Sequence, residues 1–442
     1  MPKGKIEETE EELKKRRTKT PTLLKGFKDI LPEDEMYYNT VFNSARKLSE
    51  DYSYGRIRLP LLEKTQLFER TIGKGTDIVE KELFSFLDKG EVKVAMRPEA
   101  TAQMVRAYIE HGMINMTQPV KMWEIGSMFR YDKPQKGRYR QFRQWDLEVI
   151  GSEDPIIDAQ VIIMANQFFK EMGLNVLFKI NSLGTPATRS EYIMELVTYF
   201  KQYRRHMSDV DKKRLSKNPL RLLDSKEPEI QEYKAGAPQI VDWLDEASKQ
   251  HFMKVLEYLD EMEVAYELDP FLVRGLDYYD RTVFEIVLAD DSGERAQNSL
   301  GGGGRYDSLL PQLGARADVK GAMGMAIGLE RVVLAMKDAN VEVPKQGTTD
   351  VFFCQLGEAA RRKGLRIFEE FRQRNVAIAE AFGKGSLKAQ LEIANKRDAK
   401  LTLILGQKEV LDGTIIVRDM DTGSQEIVPL DKVAEIVAKQ LA

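Results

Sequence analysis

PVKMWEIGSMFRYDKPQKGRYRQFRQWDLEVIG, residues 119–151, alternates apolar and polar positions on both sides of a central turn rich in Lys, Gly and Pro. Period-two alternation interrupted by such a turn predicts a long antiparallel hairpin. Residues 128–143 carry Arg130, Lys133, Lys136, Arg138, Arg140 and Arg143 against Asp132 alone. The chain as a whole has 67 Lys plus Arg and 70 Asp plus Glu, a formal net charge of −3, so this basic concentration stands out from its background. Arginine can pair bidentately with phosphate oxygens, and the hairpin therefore reads as a contact for phosphate or nucleic acid, with a solvated basic turn as the plainer alternative.

Upstream, Leu23 to Gly55 reads as a turn followed by a helix that Asp34 can cap, with Tyr37, Tyr38, Val41, Phe42, Ala45 and Leu48 as its apolar stripe. An extended piece follows over 56–62, and VKVAMRPEAT (92–101) reads as a strand leaving into a helix that begins near Glu99. Downstream, residues 158–172 are helical and 175–181 a strand. From Thr185 to Glu263 the pattern turns helical and charged, which predicts a separate helical insertion. Strand signals return at 264–268, at 282–289 and after the glycine run in SLGGGGRYDSL (299–309), and a helix starts near Gly328. VPKQGTTD (343–350) is a linker. VFFCQL, VAIAEA and LTLILG, followed by a hairpin, predict a small α/β domain with a mostly parallel sheet.

A chain of 442 residues asks for several domains. Its single cysteine, Cys354, excludes an intramolecular disulfide and a Cys-based zinc cluster and points to the cytoplasm. With His111, His206 and His251 the only histidines, proton relays through several imidazoles are disfavoured. No stretch approaches the ~20 apolar residues of a membrane span, and residues 1–22 read as a flexible charged tail.

Three further stretches hold candidate chemistry. RPEAT (97–101) sets Glu99 and Thr101 at a strand-to-helix junction, where a glutamate also suits the helix dipole. LVRGLDYYDRTVFEIV (272–287) crowds Arg274, Asp277, Tyr278 and Tyr279 together, either as a polar pocket or as a turn with core tyrosines. The glycine run lets backbone approach a ligand but fits neither a Walker loop nor a dinucleotide fingerprint. Arg331 opens the helix of GMAIGLERVVLAM (324–336), a poor electrostatic position that a bound anion or a surface ion pair would offset.

Taken in order, these segments resemble one family. MFRYDKPQKGRYRQFRQ is similar to motif 2 of the class II aminoacyl-tRNA synthetases, GLERVVL to motif 3, and RLPLLEKTQLFERTIG to motif 1. LVRGLDYY and GGGRYD resemble the two signature peptides of the histidyl-tRNA synthetase family, and GKGSLKAQLEIANKRDAKLTLILG resembles its anticodon-binding domain. The resemblance implies an α+β fold: a six-stranded antiparallel class II sheet flanked by helices in a catalytic domain over 23–342, with the helical insertion at about 185–263 and a C-terminal α/β anticodon-binding domain over 350–442.

The same resemblance implies an ATP-dependent histidine–tRNA ligase that activates L-histidine to histidyl-adenylate, releases pyrophosphate, and transfers histidine to the 3′ end of tRNA(His). Arg130 would hold the α-phosphate, Arg274 would be the extra catalytic arginine, and Arg331 would hold the ATP tail and adenine. Asp132 stands where the family more often has a glutamate near the adenine. Glu99 and Thr101, helped by Gln144, would take the histidine ammonium. Glu148 and Tyr279, with Tyr278 and Tyr306 near, would read the imidazole. Gln135 would contact the additional 5′ guanosine of the tRNA. Mg²⁺ would arrive with ATP rather than be held by a metal site of the chain, and motif 1 implies a homodimer. A regulatory paralogue without the anticodon domain, or an uncharged-tRNA sensor, are the competing readings.

Overall fold

The computed structural model describes residues 20–73, 76, 78–225, 227–289, 299–344 and 349–441. The charged tail, apart from its last residues, lies outside them. Two compact units divide at Glu342 and Val343.

In the first unit the strands are β1 (Gly55–Arg56), β2 (Leu62–Lys64), β3 (Ser85–Leu87), β4 (Lys93–Met96), β5 (Val120–Phe129), β6 (Gln141–Ile150), β7 (Val176–Ser182), β8 (Tyr266–Leu268), β9 (Asp280–Leu288), β10 (Ser299–Arg305) and β11 (Ala322–Gly328). Eight of them form one sheet in the order β1-β5-β6-β11-β10-β9-β7-β8, and β2-β4-β3 form a small second sheet. The run from β5 to β7 is antiparallel throughout. The expected six-stranded antiparallel sheet is thus present, extended by a parallel strand at each edge.

β5 and β6 pair from Val120↔Ile150 to Phe129↔Gln141, so the hairpin read from 119–151 forms in full register. Alternation sorts the two faces of β6. Trp145, Leu147 and Val149 are buried beneath the sheet, where the Trp145 ring lies 4.9 Å from Phe168 on the helix Pro155–Glu171. Its indole N–H donates to Ser49 Oγ on the helix Pro32–Asp51 at 3.1 Å. Gln144, Asp146 and Glu148 therefore belong to the opposite face.

Three local expectations are corrected. Asp34 does not cap its helix: the helix starts at Pro32 behind Leu31, whose apolar side chain has no acceptor to offer, so no side-chain cap forms. Asp34 instead lies in the first turn and pairs with Lys337 and Lys28. The glycine run is not a loop before a strand but is itself β10, paired on both sides. The insertion begins as expected with the helix Pro186–Lys201, capped by Thr185, but its last helix, Glu246–Glu261, is tied to the main body. Buried His251 bonds Asp158 at 2.8 Å, and Asp158 also pairs with buried Arg305 at the end of β10.

The second unit holds β12 (Val351–Gln355), β13 (Ile378–Glu380), β14 (Leu401–Leu405), β15 (Thr414–Asp419) and β16 (Gln425–Pro429), ordered β13-β12-β14-β15-β16. β12 runs parallel to both neighbours, whereas β14, β15 and β16 are antiparallel, so the sheet is half parallel rather than mostly so. The C-terminal hairpin adds antiparallel pairs that three separate strands could not supply. Cys354 is buried in β12, and desolvation pushes its thiol up to about 12, which removes it from nucleophilic chemistry.

Candidate active site

A cavity of about 1230 Å³ opens on the polar face of β6, β9, β10 and β11. Its walls bring together Glu99, Thr101, Arg130, Asp132, Gln144, Arg274, Tyr278, Tyr279, Tyr306 and Arg331, residues from six separate stretches of sequence. Glu148 lies just behind the wall, held by two residues of it: Thr101 Oγ1 donates to Glu148 Oε1 at 2.6 Å, and the Tyr306 hydroxyl donates to Oε2. Burial pushes the Glu148 carboxyl up to about 8 against the pull of these two donors.

Small residues of the sheet make the room. A Cβ on Gly324 would overlap the Glu148 carboxylate, one on Gly302 would come within 2.9 Å of the Arg274 guanidinium, and one on Gly304 within 2.9 Å of the Tyr279 ring. The glycine pattern thus serves the side chains lying over the sheet as much as any ligand.

Arg130, at the end of β5, donates through Nε to Pro98 O at 2.9 Å, and its guanidinium lies 5.3 Å from the Phe142 ring. Arg274 approaches Glu285 at 3.4 Å, while its Nε is buried with no partner among the described residues. Among the described residues Arg331 does not form the surface ion pair considered as an alternative: its Nε donates to Gly137 O at 3.2 Å and its Nη1 to Ser299 O. The Gly137 carbonyl ties the hairpin tip to the helix Leu329–Asp338, aided by Lys136 and Asp338 at 3.1 Å, and the Ser299 carbonyl ties the start of β10 to the same helix. Asp132 is engaged by Arg138 at 3.0 Å and accepts from its neighbour Lys133 N. Gln135 sits exposed at the tip, in a tight turn closed by mutual backbone bonds with Arg138.

Glu99 is buried and accepts from Ala102 N at 3.1 Å at the start of the helix Thr101–Glu110, and desolvation raises its carboxyl. The Thr101 hydroxyl faces Glu148, not Glu99's position alone, so it joins the two halves of the expected histidine pocket. The three tyrosines form one cluster, with Tyr278 centred 4.7 Å from Tyr279 and 5.8 Å from Tyr306.

Sequence reasoning missed Asp146 and Glu285, which also line the cavity. The i, i+2, i+4 series Gln144, Asp146, Glu148 within an otherwise apolar strand was the available signal for the first. Among the described residues no group of three His, Cys, Asp or Glu could hold a metal by itself. A divalent ion shared with ligand phosphates could be met by Glu285, a partly exposed carboxylate on the cavity wall. No helix of the described residues is long and apolar enough to cross a membrane.

The family model described as histidyl-tRNA synthetase matches residues 26–184 and 208–332, and one described as anticodon binding domain matches 350–440. A histidine–tRNA ligase of Bacillus cytotoxicus is 41% identical over 419 residues, spanning 94% of this chain and 98% of the relative. One of Desulfotalea psychrophila is 42% identical over 403 residues, spanning 91% and 92%. The apo histidyl-tRNA synthetase of S. aureus superposes with a TM-score of 0.79 at 34% identity, covering 95% of this chain and all of that one.

Proposed function

The chain belongs to the histidyl-tRNA synthetase family and synthesises histidyl-tRNA, and on that premise we propose how its residues divide the work. The histidine carboxylate is already an ionised nucleophile, so the first step needs no general base. It needs in-line positioning and positive charge at the α-phosphate of ATP. Arg130 and Arg274 supply that charge from the two sides of the cavity, and Arg331 holds the nucleotide. The unpartnered Nε of Arg274 supports this reading, since a buried guanidinium N–H without an acceptor is one that a ligand completes. Asp132, already paired with Arg138, is spent on shaping the hairpin and contributes little to adenine.

Glu148, aligned by Thr101 and Tyr306, and the Tyr279 hydroxyl read the two nitrogens of the imidazole, with Tyr278 packed beside them. A site that hydrogen-bonds both nitrogens rejects non-bonding analogues by about 10⁴–10⁵. Glu285 would meet the Mg²⁺ that accompanies ATP, whose charge would offset that of the phosphate oxygens. The exposed Gln135 at the hairpin tip contacts the additional 5′ guanosine of tRNA(His). The division of labour follows the chain: 23–342 catalyses, and the unit over 350–442 meets the anticodon with a nearly balanced 15 Lys plus Arg against 14 Asp plus Glu, so recognition there rests on stacking and base edges. The working form is a cytoplasmic homodimer.

The convergence of three arginines on the same cavity as a buried carboxylate–tyrosine cluster carries this reading. Histidine-dependent exchange of pyrophosphate into ATP tests it. Arg274→Ala should lower kcat of the exchange by about 10²–10³-fold, the loss of a transition-state charge contact, with the KM for ATP changed only severalfold. Equal losses in both would assign Arg274 to ground-state binding.

A further inference from the structure

Asp146 is 1% exposed, lines the cavity, and its Oδ2 has no hydrogen-bond partner among the described residues. Two positions away on the same face of β6, Gln144 Oε1 is likewise buried and unpartnered. Two orphaned acceptors side by side in a cavity wall are costly unless a donor arrives from outside.

The charges around Asp146 specify that donor's sign. Glu124 lies directly across on β5, and Glu148 and Glu99 are close, all three opposing its ionisation, while Arg97 favours it. Arg97 is already committed: it binds both Glu124 oxygens at 2.9 and 3.1 Å and Ser127 O at 2.9 Å. With burial added, the Asp146 carboxyl stands well above the usual carboxylate range in the unliganded chain. Glu99 spends acceptor capacity on Ala102 N, and Thr101 faces Glu148, so the residues first assigned to the ammonium are partly occupied by the protein.

We propose that Asp146, together with Gln144 Oε1, is the principal counter-group for the α-ammonium of the amino-acid substrate. An ammonium has three donors, and Asp146, Gln144 and Glu99 give it three acceptors on one wall, while the imidazole extends toward Glu148 and the tyrosines. The assignment rests on the cavity being the histidine site.

The test uses two variants and two ligands. Asp146→Asn keeps the shape, removes the charge and breaks no protein contact of Oδ2, so its Tm should equal or exceed that of the parent. Its KM for histidine in pyrophosphate exchange should rise about 10–100-fold, as expected for loss of a charge-assisted bond, with the KM for ATP unchanged. As inhibitors, histidinol keeps the ammonium and 3-(imidazol-4-yl)propionate lacks it. Asp146→Asn should weaken histidinol by a similar factor and leave the propionate unchanged, and Asp146→Glu should weaken histidinol less than Asn does. An unchanged histidine KM, or equal weakening of both inhibitors, overturns the assignment of Asp146. A parent chain without histidine-dependent exchange would overturn the cavity reading itself.

Discussion

Glu148 is the residue on which the pocket's acid–base behaviour turns. Its carboxyl is ordinary in the unfolded chain and pushed up to about 8 in the fold. The native state therefore binds its proton more tightly, and the stability so gained is complete below the usual carboxylate range and is lost as pH rises toward 8. Glu99 and Asp146, raised by the same burial, act in the same direction. Glu148→Gln should flatten the fall in Tm of the unliganded chain between pH 5 and 8, measured by thermal melts across that range. A fall of the same slope in the variant would place the proton elsewhere. At this scale the sequence was informative where a residue sits in a recognisable motif, as Arg130, Arg274 and Tyr306 do. For Asp146 it held only the alternation with Gln144 and Glu148, which puts the three on one face of the strand but does not distinguish a buried, unpartnered aspartate from one on a solvated face.

Among the elements, β10 and β11 matter most, since they form the site's floor. Strands of glycine are locally weak, and the run at 301–304 gives no strand signal by propensity. Only its pairing with β9 and β11 makes it a strand, which is why sequence alone marked it as close backbone approach and not as sheet. The long hairpin was legible for the opposite reason, its alternation being visible without tertiary context. Gly324→Ala should drive the Glu148 carboxylate from its place between Thr101 and Tyr306. We expect at least a 10-fold rise in the KM for histidine, with ATP affinity by direct binding nearly unchanged, because the arginines lie on other elements. Equal weakening of both substrates would mean that the sheet itself had shifted.

For the molecule as a whole, the near-neutral net charge hides a local arrangement. The basic hairpin projects from the catalytic sheet, and its tip is fixed on the helix Leu329–Asp338 by Arg331 and Lys136. That fixation holds the tip, whose Gly137 and Arg138 line the cavity, so under the proposed function the same hairpin would hold the α-phosphate at its base through Arg130 and meet the tRNA end at its tip through Gln135. The resemblance carried by the order of motifs along the chain implied such a division of the hairpin. The exact partners of Arg331, two carbonyls rather than a carboxylate, depend on how a turn and a helix nearly 200 residues apart meet, and no sequence pattern encodes that.

The most direct test of the account is aminoacylation of a tRNA(His) transcript with labelled histidine, with and without its additional 5′ guanosine. The account predicts charging that depends on the guanosine in the parent chain and loses much of that dependence in Gln135→Ala. Absence of charging on either transcript would contradict the assignment of both chemical steps to this cavity, and guanosine-independent charging would contradict the role given to the hairpin tip.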